Sequence, residues 1–223
     1  MFEKEIEKML TDGGASLVGF SSLSSVKNAP FPYAVTIAYK LSDAILSTID
    51  EKPTMPYFQH YRIVNTKLDL LALDCVRFIE GKGYFAFPVA ASQSTGEYHG
   101  YFPHKTGAVL SGLGYIGRNC LLITPEYGSK VRFSTVLTDM PLSPQRPPIP
   151  FLCGECTECV KACKGGAISG KEYCPETGRE GFFDAEKCSQ YMKNFKDIGR
   201  GSVCGLCIKA CPKNGLRVLT KEQ

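Results

Sequence analysis

The run CGECTECVKAC, Cys153 to Cys163, places four cysteines within eleven residues. Nine of the eleven cysteines in the chain lie between Cys153 and Cys211, and only Cys75 and Cys120 come earlier. The opening stretch, MFEKEIEKMLTDGG, is charged and has no apolar h-region, so it does not read as a secretory signal. No segment approaches the roughly eighteen apolar residues of a membrane span. The expected setting is cytoplasmic, with no membrane partner. In a reducing compartment, thiols clustered this tightly point to metal or redox chemistry rather than to disulfides.

The spacing narrows that chemistry. Cys153, Cys156, Cys159 and Cys163 form C-x2-C-x2-C-x3-C, the iron–sulfur run of bacterial two-cluster ferredoxins, whose fourth cysteine ligates the other cluster. A second group follows as C-x2-C-x3-C-P at Cys204, Cys207 and Cys211, and it is one thiol short. Cys188 or Cys174 supplies the missing ligand. Under the swap, one cluster takes Cys153, Cys156, Cys159 and Cys211. The other takes Cys163, Cys204, Cys207 and one of Cys188 or Cys174. Eight thiolates suit two [4Fe–4S] clusters. A zinc ribbon would use cysteine pairs separated by a longer loop, and structural thiols do not fall at these spacings. The first run departs from the ferredoxin pattern only in ending Cys163-Lys164, whereas Cys211-Pro212 keeps the usual proline.

Outward from the cysteines, DMPLSPQRPPIP places five prolines between Asp139 and Pro150 and reads as an extended linker. The expected division is an α/β-type domain over 1–140, a linker over 141–150, and a small two-cluster domain over 151–223. The small domain has few large aliphatics and needs its metal staples. Before the linker, the pattern predicts a helix over FEKEIEKMLTD and strands at ASLVGF and YAVTIAYKL. A long helix carries Ile63, Val64, Leu68, Leu71, Val76 and Ile79. Further strands are predicted at GYFAFPVAA, CLLITP and VRFSTVLTD, with a helix at KTGAVLSGL. The fold class is α+β, with a mixed sheet and a ferredoxin-like appendage. The net charge of +4 is scattered, which reads as a solvated surface rather than a nucleic-acid footprint.

One further motif stands out, GLGYIGRN from Gly112 to Asn119. It matches G-x-G-x-x-G, but a helix precedes it and a strand follows, the reverse of a dinucleotide site. Together with VLTDMPL (Val136 to Leu142) and the cysteine runs, it resembles the epoxyqueuosine reductase family of corrinoid-dependent iron–sulfur reductases. The resemblance covers about residues 85 to 215. It implies that Cys188, in DAEKC, completes the second cluster and that Cys174 is spare. It also implies a cobalamin held between the domains near Gly112, Gly114, Tyr115, Gly117, Arg118 and Asn119, with Lys105 beside it. The family's acidic proton donor has no counterpart here. The corresponding EYHGYFPHK offers Tyr98, His99 and His104 as candidate donors. Family members with tRNA substrates continue further at the C-terminus, which with the mild charge weighs against a tRNA partner. The expected partners are a low-potential donor of the ferredoxin or flavodoxin type and a small-molecule substrate or corrinoid protein. Two functions fit these residues: a cobalamin-dependent reductase, or an electron carrier that activates another protein's corrinoid.

Overall fold

The computed structural model describes residues 2–198 and 203–216. In chain order it contains α1 (Phe2–Asp12), β1 (Leu17–Ser22), β2 (Tyr33–Lys40), α2 (Asp43–Ser47), α3 (Met55–Gly81), β3 (Ala86–Val89) and α4 (His104–Leu110). These are followed by β4 (Tyr115–Ile116), β5 (Leu122–Ile123), β6 (Val131–Thr138), α5 (Glu158–Ala162), α6 (Ala185–Met192) and α7 (Leu206–Lys209). No described helix is long and apolar enough to cross a membrane. The chain divides into two compact units, each discontinuous in sequence. Unit 1 is Met1–Lys40, Ile63–Tyr115 and Val131–Pro150, and unit 2 is Leu41–Arg62, Ile116–Lys130 and Phe151–Gln223. A single cut at the proline-rich segment does not describe this, because two earlier stretches belong with the cysteine-rich one.

Unit 1 is built on a four-stranded sheet of order β1-β2-β6-β3. Every pairing is antiparallel, where a mixed sheet was expected. The helices therefore do not serve as parallel crossovers, and the α+β class holds. β6 is central and buried along nearly its whole length, so its hydroxyls need partners inside the protein. Ser134 Oγ donates to the Leu68 carbonyl of α3 at 3.1 Å. Thr135, on the opposite face by strand alternation, meets His104 of α4 at 2.8 Å. The two hydroxyls thus fix one helix on each face of the sheet.

The long helix α3 buries Val64, Leu68, Leu71, Cys75 and Ile79 at three- and four-residue spacing. Ile63, expected in the core, is 67% exposed, so the apolar stripe starts one residue later than the sequence suggested. Cys75 is a buried core thiol. Burial, reinforced by the Asp74 carboxylate, pushes it up to about 12, so it stays protonated and inert. α1 buries Ile6 and Leu10 and ends in a Schellman turn. There Gly14 has φ +98° while the Ala15 amide returns to the Leu10 carbonyl.

In unit 2, the β4–β5 ribbon, short helices α5 to α7 and connecting turns replace a large core. α5 and α7 pack against each other. Gly205, at φ +80°, begins α7 where a Cβ would meet Ile49 and Tyr57 at 2.7 and 2.8 Å. That close approach places the 41–62 stretch within this unit.

Candidate metal centres

The first three cysteines sit at the start of α5. A turn closes through the Cys156 amide and the Cys153 carbonyl, and Cys159 lies on the helix itself. Cys163 terminates the helix, and its Sγ accepts from the Ala167 amide at 3.3 Å. In the second group, Cys207 lies on α7 and Cys211 just beyond it, ahead of a 3-10 turn opened by Pro212. Because α5 and α7 are packed together, the cysteine ending each helix is carried to the other helix's group.

One cavity is walled by Cys153, Cys156, Cys159 and Cys211, together with Arg118, Asn119, Ile123, Pro212 and Lys213. Burial pushes Cys159 up to about 11, with negative charge on Cys211, Cys153 and Cys156 adding to the effect. Burial also raises Cys211, while hydrogen bonds from the Lys213 backbone and the Ser129 side chain oppose it. The other thiols form a second neighbourhood. Cys188 is raised to about 11, first by burial and then by Cys204 and Cys163. Cys207 is raised well above the ordinary range by burial, then by Cys204, Cys188 and Cys163, and last by Cys159 of the first group.

The donor chemistry fits iron–sulfur clusters. All eleven cysteines are free thiols. Among the described residues, no three His, Cys, Asp or Glu side chains converge as a single-ion site. Four of the thiols line one cavity, and their spacing in sequence is the one that four-iron clusters use. A thiol buried among other potential thiolates becomes an anion only when a cation compensates it, so metal loading and folding of this unit are coupled.

Cys188 sits in α6, whose Asp184 N-cap accepts from the Lys187 amide at 2.9 Å. Cys174 lies in a separate turn closed against Gly178, with its thiol donating to Glu176 Oε2 at 2.6 Å. Asn214, absent from the sequence reading, holds the second group in place. Its Oδ1 accepts from the Ser129 amide at 2.6 Å and the Ser129 hydroxyl at 3.1 Å, and its Nδ2 donates to the Ile208 carbonyl at 2.5 Å. A polar residue three positions past the last cysteine, in C-P-x-N, was the available signal.

Of the residues expected at a corrin, Lys105, Gly112, Gly114 and Tyr115 belong to unit 1 and Gly117, Arg118 and Asn119 to unit 2. Gly112 (φ +70°) is covered by Pro147 and Arg146, where a Cβ would lie 2.5 Å from the Pro147 carbonyl oxygen. Gly117 is covered by Ile123, and Asn119 Oδ1 accepts from the Leu121 amide at 3.1 Å. Gly114 and Tyr115 are buried, and Lys105 is half-buried in α4. Arg118 and Asn119 line the cysteine cavity. Gly112 and Gly117 thus lie close against chain of their own units. Of the candidate proton donors, Tyr98 and His99 occupy an exposed turn, Tyr98 at φ +62°. His104 lies inside, with Nδ1 on Thr135 and Nε2 on the Ala90 carbonyl at 3.0 Å. The same Nε2 lies 3.1 Å from the Gln93 side-chain amide nitrogen.

Three comparisons bear on identity. Residues 152–214 match the family described as 4Fe-4S double cluster binding domain. An epoxyqueuosine reductase from Listeria monocytogenes is 36% identical over 117 residues, 48% of this chain and 28% of that protein. The chain is similar to epoxyqueuosine reductases over about half of its length. It spans under a third of that relative's length. A reductive dehalogenase structure, titled as suggesting a mechanism for B12-dependent dehalogenation, covers 97% of this chain and 32% of its own at TM-score 0.76 and 23% identity. An epoxyqueuosine reductase solved with an epoxyqueuosine-modified tRNA-Tyr stem loop covers 98% of this chain and 67% of its own, with TM-score 0.62 and 21% identity. These structural likenesses are of fold. The expectation against tRNA does not stand, since a protein of this fold holds a tRNA stem loop.

Two outcomes are expected. Cys174→Ser retains the full iron content of the anaerobically reconstituted chain, whereas Cys188→Ser loses about half; the reverse pattern exchanges their roles. Burial, and then the Arg132 charge, hold the His104 imidazole down to about 4 against the opposing Ala90 hydrogen bond. The unfolded chain takes up that proton near pH 6.5, so this contribution to stability is complete above 6.5 and is lost as pH falls toward 4. An NMR titration should show His104 neutral down to about pH 4, and a midpoint of 6 to 7 contradicts the buried, neutral assignment.

Proposed function

We propose that the chain is an iron–sulfur reductase whose two [4Fe–4S] clusters relay single electrons toward a bound cobalamin and a substrate. The observation that carries the reading is the cavity walled by Cys153, Cys156, Cys159 and Cys211, which joins three thiols of the first run to the last thiol of the second. Under this reading that set holds one cluster, and Cys163, Cys188, Cys204 and Cys207 hold the other. The helix contact between α5 and α7 puts ligands of both clusters on one rigid pair, which supports efficient transfer between them. The residues of unit 2 seat the clusters, limit water around the buried thiolates and fix their hydrogen bonds.

Cobalamin, when bound, supplies low-valent cobalt as the reductant. That half of the reading is supported by the relatives, the cluster half by geometry. Gly112, Gly117 and Asn119 are committed to packing and hydrogen bonds inside the chain. His104 is engaged on both ring nitrogens, which leaves the exposed turn with Tyr98 and His99 as the accessible candidate donors. A low-potential one-electron carrier is the proposed donor, the cytoplasm the proposed setting. The substrate is either a small molecule or, as in the epoxyqueuosine reductase solved with it, a tRNA.

Anaerobic reconstitution, addition of cob(II)alamin, removal of the excess and EPR spectroscopy test the reading. A stoichiometric, perturbed Co(II) signal beside two reducible clusters is expected. Two clusters with no retained cobalamin contradict it and leave an electron carrier that serves another protein's corrinoid.

A further inference from the structure

Arg118 belongs to the glycine-rich motif, yet it lines the cavity walled by Cys153, Cys156, Cys159 and Cys211. Its guanidinium is held on three sides. One terminal nitrogen donates to the Gly170 carbonyl, and the other donates at 2.5 Å to the carbonyl of Gly154, the residue after Cys153. The plane rests over the Phe151 ring, 5.2 Å from its centroid. The third nitrogen, Nε, is buried and has no hydrogen-bond partner among the described residues.

That combination is unusual. Arginine does not deprotonate, so the Nε–H cannot escape its need for an acceptor by losing its proton. A buried donor of a charged group left without an acceptor is costly. The two terminal nitrogens are already taken by backbone carbonyls. Arg118 lines the cysteine cavity, so a cluster seated there is an acceptor in the residue's own surroundings.

We infer that Arg118 Nε–H donates a hydrogen bond to a sulfur of the cluster in that cavity, and that this bond with its fixed positive charge raises the cluster's reduction potential. The inference rests on the cluster reading above. One-electron reduction takes [4Fe–4S]2+ to [4Fe–4S]1+ with an electron from a low-potential one-electron donor, and no proton moves. The added negative charge falls largely on the sulfurs, so a donor aimed at one of them and a nearby cation both favour the reduced state. Arg118 is thus a positioning and tuning residue for one cluster.

The test uses the full chain, reconstituted anaerobically with iron and sulfide, as wild type, Arg118→Lys and Arg118→Gln. Iron content is measured first, then both clusters are titrated by EPR at controlled potential. Pulsed EPR of the reduced wild type and Arg118→Lys, each labelled with 15N-arginine, follows. The expected result is a weak 15N coupling on one reduced cluster of the wild type that is absent from Arg118→Lys. In both variants one cluster should become at least tenfold harder to reduce, a fall of about 59 mV or more for one electron, while the other stays put. A role confined to clasping the Gly154 and Gly170 loops leaves no 15N coupling in the wild type, and that result overturns the inference even if Arg118→Gln loses a cluster. Loaded variants with unchanged potentials overturn it too. A wild-type chain that takes up no iron overturns the cluster reading itself.

Discussion

The contact between α5 and α7 is the constraint on which the rest of unit 2 depends. Each helix is only one turn or so long, too short to be stable alone in water. Each ends in a cysteine that its own group does not use. Packing them together sends Cys211 to the first group and brings Cys163 among Cys188, Cys204 and Cys207. Neither seat is complete without the other helix. The same crossing explains why a chain segment so poor in aliphatics folds at all: the two inorganic cages take the place of a hydrophobic core. Several buried thiols whose anions repel one another form a poor core until iron compensates them.

The remainder of the unit serves to hold that helix pair. Gly128 lies so close to Asn214 and the Lys213 carbonyl that any side chain there would collide with the segment after Cys211. Asn214 then ties Ser129 to the carbonyl of Ile208 on α7. From the other direction, Lys209 donates to the Ile49 carbonyl and Gly205 packs against Ile49 and Tyr57. Thus the 41–62 and 116–130 stretches group with the cysteine-rich segment, although both precede the prolines. Arg118 enters the same framework from the 116–130 stretch, reaching the carbonyls of Gly154 and Gly170.

Much of this was legible in the sequence, for identifiable reasons. Cubane ligation imposes a rigid spacing, so the two cysteine groups announced themselves, and the long helix was visible in its apolar repeat. The antiparallel sheet was not readable, because strand order depends on which edges meet and not on the residues of any one strand. Ile63 misled because it adjoins Val64, and an apolar pair in a helix does not say which member faces inward. The glycine motif is less explicit. Glycine permits close approach without naming what approaches, and here Pro147 and Ile123 are the close neighbours of Gly112 and Gly117. His104 carried the chemistry of a proton donor in sequence, while its partners, Thr135 and Ala90, lie far along the chain. Choosing Cys188 over Cys174 required a family resemblance, since spacing alone left both open. Their surroundings differ plainly, Cys188 among thiols and Cys174 against Glu176.

The central claim, that crossed ligand sets seat two four-iron clusters, is tested most directly by Mössbauer spectroscopy of the chain reconstituted anaerobically with 57Fe, together with iron and acid-labile sulfide determination. Eight irons and eight sulfides per chain, with all iron in the mixed-valence quadrupole doublets of [4Fe–4S]2+, is the expected result. Four irons per chain, or iron bound as isolated tetrathiolate sites without sulfide, would contradict it.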